Sequence, residues 1–159
     1  MSKLDKVTAE FLSLFDHIHD EYFKPAEQIT RSRLSPSQFH TLAILCRKGA
    51  LPMSELAAEL KISKQQLTPL IAKLIENRQV IRTTDEYDRR IVRIEIAGPG
   101  RKTFAAIGAE IKRSFTEKLS LIPEAELTEL EKMIARMQEI LRQSKPDADP
   151  AAKEKSQYL

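Results

Sequence analysis

One six-residue pattern occurs twice, and it restricts the fold more than any other feature of the chain. Leu34-Ser35-Pro36-Ser37-Gln38-Phe39 and Ile62-Ser63-Lys64-Gln65-Gln66-Leu67 each set a serine before a helix, a glutamine three residues later, and apolar residues at the outer positions. In such a box the serine hydroxyl accepts an amide of the first turn, the glutamine reaches back to the serine amide, and the apolar pair staples the entry. Helices are therefore predicted from Pro36 to about Lys48, with Gly49 as the stop, and from Lys64 to about Asn77. Between them residues 53–60, MSELAAEL, read as a third short helix. Two short helices joined by a few residues have the form of a helix-turn-helix.

The second of those helices lies in the only strongly cationic stretch. Residues 61–102 hold ten Lys and Arg against five Asp and Glu, a balance of +5, whereas the rest of the chain sums to −2. Pro69 inside that helix removes the amide that would bond the Gln65 carbonyl and predicts a local bend. Next, Gln79–Thr84 and Arg90–Ile96 are rich in β-branched residues, the second alternating with Val92, Ile94 and Ile96 on one side. The polar turn between them, Asp85 to Arg89, completes a two-stranded hairpin with a charged tip. The fold class is thus mostly α: a winged helix-turn-helix with a two-stranded β wing, flanked by N- and C-terminal dimerisation helices.

The flanks carry their own periodicity. Leu4, Val7, Phe11, Leu14 or Phe15, Ile18 and Tyr22 recur at helical spacing before Pro25, and 24–33 read as a polar connection. After Gly98-Pro99-Gly100 the stripe Phe104, Ile107, Ile111, Phe115 and Leu119 resumes, and beyond Pro123 residues Leu127, Leu130, Ile134, Met137 and Leu141 form a heptad seam. A small winged core cannot cover these stripes, which predicts a twofold homodimer. The domain boundaries follow: 1–33 N-terminal dimerisation helix and connection, 34–98 winged unit, 99–143 C-terminal dimerisation helices, and 144–159 a tail with too little to bury to be ordered.

Composition excludes several classes. The single cysteine, Cys46, forms no internal disulfide and no CxxC metal knuckle. The opening MSKLDKVTAEF lacks the apolar core of a signal peptide, and no apolar run approaches the ~18 residues that cross a bilayer, so a cytoplasmic protein without membrane contact is expected. No GxGxxG, P-loop, HExxH or GxSxG pattern occurs, so neither catalysis nor a cofactor is expected. His17 and Glu21 stand one helical turn apart, but His17 and His19 point to different faces, so no metal site is expected.

Leu34-Ser35-xx-Gln38-Phe39, Ser54-Glu55-Leu56-Ala57, Leu67-Thr68-Pro69-Leu70-Ile71-xx-Leu74, Val80-Ile81-Arg82 and Asp85-xx-Asp88-Arg89-Arg90 followed by Ile94-x-Ile96 resemble the MarR family of bacterial transcription regulators over roughly 5–143. The resemblance implies a repressor that binds a pseudo-palindromic double-stranded DNA operator as a homodimer and is released by a small aromatic or phenolic effector. It implies that Arg90 enters the minor groove while Asp88 holds it, and that polar residues of the recognition helix reach bases and phosphates. The candidate DNA-binding residues are Ser63, Lys64, Gln65, Gln66, Thr68, Lys73, Asp88, Arg89 and Arg90, with Ser63 and Gln66 also needed as caps. Tyr22, Phe23, Phe39 and His40 are the candidate effector liners. The Leu67-Thr68-Pro69-Leu70 stretch resembles the OhrR branch, yet the first 45 residues lack that branch's sensing cysteine. Two departures from the family stand out: Arg78 replaces a helix-ending glycine and Ala97 a capping threonine, with Asn77 and Gly98 as candidate substitutes. Two other readings compete, a winged-helix module for protein contacts and a redox regulator using Cys46.

Overall fold

The computed structural model describes residues 2–143, so the tail expected from 144 lies outside the described residues. In chain order the elements are α1 (Lys3–Ile18), a single π turn (His19–Phe23), α2 (Lys24–Arg31), α3 (Pro36–Lys48), β1 (Leu51–Pro52), α4 (Met53–Leu60), α5 (Lys64–Glu76), β2 (Val80–Thr84), β3 (Val92–Ile96), α6 (Gly98–Leu119) and α7 (Glu124–Gln143). The chain divides into two compact units, one through Thr116 and one from Glu117 onward.

Both boxes form. The Gln38 amide donates to Ser35 Oγ at 3.2 Å and the Ser35 amide to Gln38 Oε1 at 2.9 Å. At α5 the Gln66 amide donates to Ser63 Oγ at 3.1 Å and the Ser63 amide to Gln66 Oε1 at 3.0 Å. A third box, Ser2 with Asp5, starts α1.

α3 is the central helix. Its buried set is Thr41, Leu42, Ile44 and Leu45, because α2, α4, α5 and β3 all touch it. The Thr41 hydroxyl is satisfied by donating to the Ser37 carbonyl at 2.7 Å. Leu56 of α4, Leu67, Ile71 and Leu74 of α5, Ile94 of β3 and Ile107 of α6 complete one fully buried core. α5 runs unbroken through Pro69, whose ring lies on the exposed side; the Gln65 carbonyl that it leaves without an amide is there within reach of water.

The sheet corrects the two-stranded expectation. It has three strands in the order β1-β3-β2, with Leu51 opposite Ile94 and Pro52 opposite Arg93. A two-residue strand has no periodicity to read, and its pairing is a tertiary event; Pro52 is tolerated because β1 is an edge. β2 pairs with β3 from Val80 opposite Ile96 to Thr84 opposite Val92. Ile94 and Ile96 reach the core, while Val92 on the same face lies out along the wing and is exposed.

The polar connection expected over 24–33 is instead mostly helix. Pro25 sits in the first turn of α2, where its missing amide costs little. The preceding π turn, in which the Lys24 amide donates to the His19 carbonyl, widens the backbone where the proline ring would otherwise meet a carbonyl. α6 likewise begins earlier than a Gly-Pro-Gly loop would suggest, at Gly98 itself. Gly100 is there for space: a Cβ would lie 2.0 Å from the Gln79 carbonyl oxygen.

Outside the core the pattern reverses. α1 has no buried residue, and Leu4, Val7, Phe11, Leu12, Leu14 and Phe15 are all exposed. In the second unit α7 also buries none, and Met133, Ile134, Ile140 and Leu141 are exposed.

Candidate nucleic-acid interface

α5 is amphipathic in the sense an interface needs. With Leu67, Ile71 and Leu74 committed to the core, Lys64, Gln65, Thr68 and Lys73 are all exposed on its outer side. Ser63 and Gln66 are exposed too, but their side chains are engaged in the capping box. The Thr68 hydroxyl donates to the Lys64 carbonyl at 2.9 Å, and the Lys73 ammonium contacts Glu76 at 3.0 Å. Lys64 and Gln65 thus stand at the front of the helix, ahead of the two residues with local bonds.

Both ends of α5 are bounded by non-glycine residues in left-handed conformation, Lys61 at φ 54° and Arg78 at φ 57°. The Ile62 amide donates to Ala57 at 3.1 Å and the Gln79 amide to Leu74 at 2.8 Å, each closing a helix end. Asn77 does not substitute for the missing glycine, since it keeps φ −81° and Arg78 itself carries the strain. That strain is worth roughly 1–2 kcal/mol relative to a relaxed backbone.

The wing is organised by two carboxylates. Asp88 accepts Arg90 Nε at 3.1 Å and Nη2 at 3.3 Å, as well as the Arg90 amide at 3.0 Å. The Arg90 side chain is nevertheless 91% exposed, so the carboxylate orients it without hiding it. Arg89 beside it is exposed as well. The second carboxylate, Asp85, is only 9% exposed. Its Oδ1 accepts the Tyr87 amide at 2.9 Å and the Asp88 amide at 3.1 Å, and its Oδ2 accepts Arg93 Nε at 2.6 Å. The Arg93 bond, then the two amides, hold the Asp85 carboxyl below the usual carboxylate range. Arg90, through its side chain and then its amide, does the same for Asp88.

Asp85 and Arg93 were absent from the candidates drawn from the sequence. A turn-opening aspartate is a frequent side-chain acceptor for the following amides, but its pairing with Arg93 depends on hairpin register.

The aromatic candidates separate into two groups along α6. Tyr22 and Phe23 lie 5.3 and 5.8 Å from Phe115 by ring centroids, whereas Phe39 lies 5.1 Å from Phe104. Phe104 and Phe115 are eleven residues apart, about 16 Å along a helix. His40 is exposed next to Phe39. Cys46 is half-buried; burial pushes its thiol up, against a smaller opposing effect of the Arg101 cation. A protonated thiol is a poor nucleophile, so nothing here favours the redox reading. Among the described residues no helix is long and apolar enough to cross a membrane.

Known proteins resemble this chain in sequence and in fold. The model of the MarR family matches residues 34–92, which span α3 through the start of β3. YpoP, a helix-turn-helix transcriptional regulator of Bacillus subtilis, is 27% identical over 110 residues, 69% of this chain and 78% of its own. The B. subtilis transcriptional repressor MdtR is 25% identical over 125 residues, 79% of each chain. Among solved structures, a mutant of S. aureus MepR bound to an oligodeoxyribonucleotide superposes with a TM-score of 0.69 at 22% identity, covering 82% of this chain and 97% of that one. At that identity the likeness establishes the fold.

Proposed function

We propose that this chain, whose residues 34–92 match the model of the MarR family, is a transcriptional repressor that binds a pseudo-palindromic operator as a homodimer. The observation that carries this reading is the wing: an arginine oriented by Asp88 and still almost fully exposed, on the same basic segment as the outward face of α5. α5 enters the major groove through Lys64, Gln65 and Thr68, with Lys73 toward the backbone, and Arg90 and Arg89 reach the neighbouring groove and phosphates. Ser63 and Gln66 preserve the helix start rather than read bases.

The exposed faces of α1 and α7 support the dimer, since each presents an apolar stripe that a second copy covers. Two half-sites then lie about 34–36 Å apart, one DNA turn. The effector of this reading is a small aromatic or phenolic compound that binds beside the ring groups formed by Tyr22, Phe23 and Phe115 or by Phe39 and Phe104 and releases DNA by changing the spacing of the two reading heads.

The test is duplex binding by the wild-type chain against Arg90→Ala and Lys64→Ala across a salt series, on duplexes selected from genomic fragments. Affinity should fall steeply with salt, and each substitution should cost about 1–3 kcal/mol or lower the salt slope by about one. Unchanged affinity in both variants would remove the assigned contacts. Salt-insensitive or absent duplex binding would favour a module for protein contacts.

A further inference from the structure

The two wing carboxylates do different work. Asp88 holds the outward Arg90, whereas Asp85 points into the wing and spends its acceptors on Arg93 and on the amides of Tyr87 and Asp88. Arg93 stands in β3 directly opposite Pro52 of β1, and α4, the first helix of the helix-turn-helix, begins at the next residue, Met53. A continuous set of contacts therefore runs from the base of α4 through the β1–β3 pairing to Arg93, Asp85 and the Asp88 backbone, and from the Asp88 carboxylate to Arg90. Resting on the DNA-binding reading above, we propose that Asp85 is a positioning residue for DNA recognition, fixing through Arg93 and the Asp88 amide where Arg90 stands relative to the helix-turn-helix.

Charge and position make opposite predictions here, which separates this role from simple electrostatics. Asp85→Asn deletes a negative charge from a surface that meets a polyanion, so Coulomb's law alone predicts tighter binding. It also deletes the charge-assisted acceptor of Arg93 while leaving an amide oxygen for Tyr87 and Asp88. Loss of position predicts weaker binding.

The experiment measures affinity and salt slope for a duplex selected from a random pool by the wild-type chain. The variants are Asp85→Asn, Arg93→Gln, Arg93→Lys, Arg90→Ala and the double variant Asp85→Asn with Arg90→Ala. Asp85→Asn and Arg93→Gln should each bind about tenfold more weakly, with salt slopes moving toward that of Arg90→Ala. Arg93→Lys, which keeps a charged donor, should recover part of the loss. In the Arg90→Ala background, Asp85→Asn should weaken binding no further or tighten it.

Asp85→Asn at or above wild-type affinity while Arg90→Ala is weak overturns the positioning role alone. So does a full tenfold loss that persists without Arg90, the signature of general damage, which a lowered melting midpoint would corroborate. An Arg90→Ala variant that binds like wild type instead overturns the wing contact on which both readings stand.

Discussion

The winged unit and two of the helices outside it, α1 and α7, treat apolar residues in opposite ways. In the winged unit Leu42, Leu45, Leu56, Leu67, Ile71, Leu74 and Ile94 are completely buried by neighbours within the chain. α1 and α7 repeat apolar residues at the same helical spacing and bury none of them. Periodicity thus tells which face of a helix is apolar but not what will cover it. In the first region the cover is already present; in the second, on the proposed function, a second copy supplies it.

The sharpest way to break that contrast is to hollow the covered region. Ile71→Ala should destabilise the winged unit by about 2–5 kcal/mol in denaturant unfolding, independent of protein concentration. A much smaller cost would mean that the core is looser than its burial indicates.

Phe11→Glu on the exposed stripe should act elsewhere. It should raise the dimer dissociation constant on the order of 100-fold, roughly 2.7 kcal/mol, and leave the unfolding of the isolated monomer nearly unchanged. Sedimentation at several concentrations measures it, and an unaltered constant would show that α1 is not part of the interface.

Two substitutions sharpen the internal side of the comparison. Gly100→Ala forces a methyl against the Gln79 carbonyl, and about 1–3 kcal/mol of stability should be lost in a thermal melt. Arg78→Gly relieves the left-handed strain at the end of α5 and should gain about 1 kcal/mol, the opposite of the usual effect of introducing glycine.

The smallest effect concerns pH. Asp85 and Asp88 have folded-state values depressed below the ordinary range, about 3.9 for aspartate. Their contribution is therefore complete above that value and is lost only as pH falls through the lower, folded one. Protection of the Tyr87 and Asp88 amides against hydrogen exchange, corrected for intrinsic rates, should stay flat from pH 8 to pH 5; a decline near neutrality would contradict the assigned bonds.

How much of this was legible beforehand follows from how local each determinant is. The boxes at Ser35 and Ser63 are complete within four residues, so α3 and α5 could be placed from their starts. The alternation of β3 is nearly as local. Pro25 misled because a proline marks either the end of one helix or the first turn of another, and the π turn that decides between them leaves no compositional trace. β1 was invisible because two residues become a strand only through Ile94 and Arg93. In the wing, Asp88 with Arg90 was implied by the family resemblance, whereas Asp85 with Arg93 needed the register of the hairpin. Gly100 looked like a loop residue until the approach of Gln79 was known.

The central claim is that two copies of this chain, joined through faces that one copy cannot cover, grip one duplex. Native mass spectrometry of the protein with a selected duplex tests it directly. Two chains per duplex, with the same pair persisting when DNA is withdrawn, is the predicted result; a single chain per duplex, or free protein that is monomeric at micromolar concentration, would contradict it.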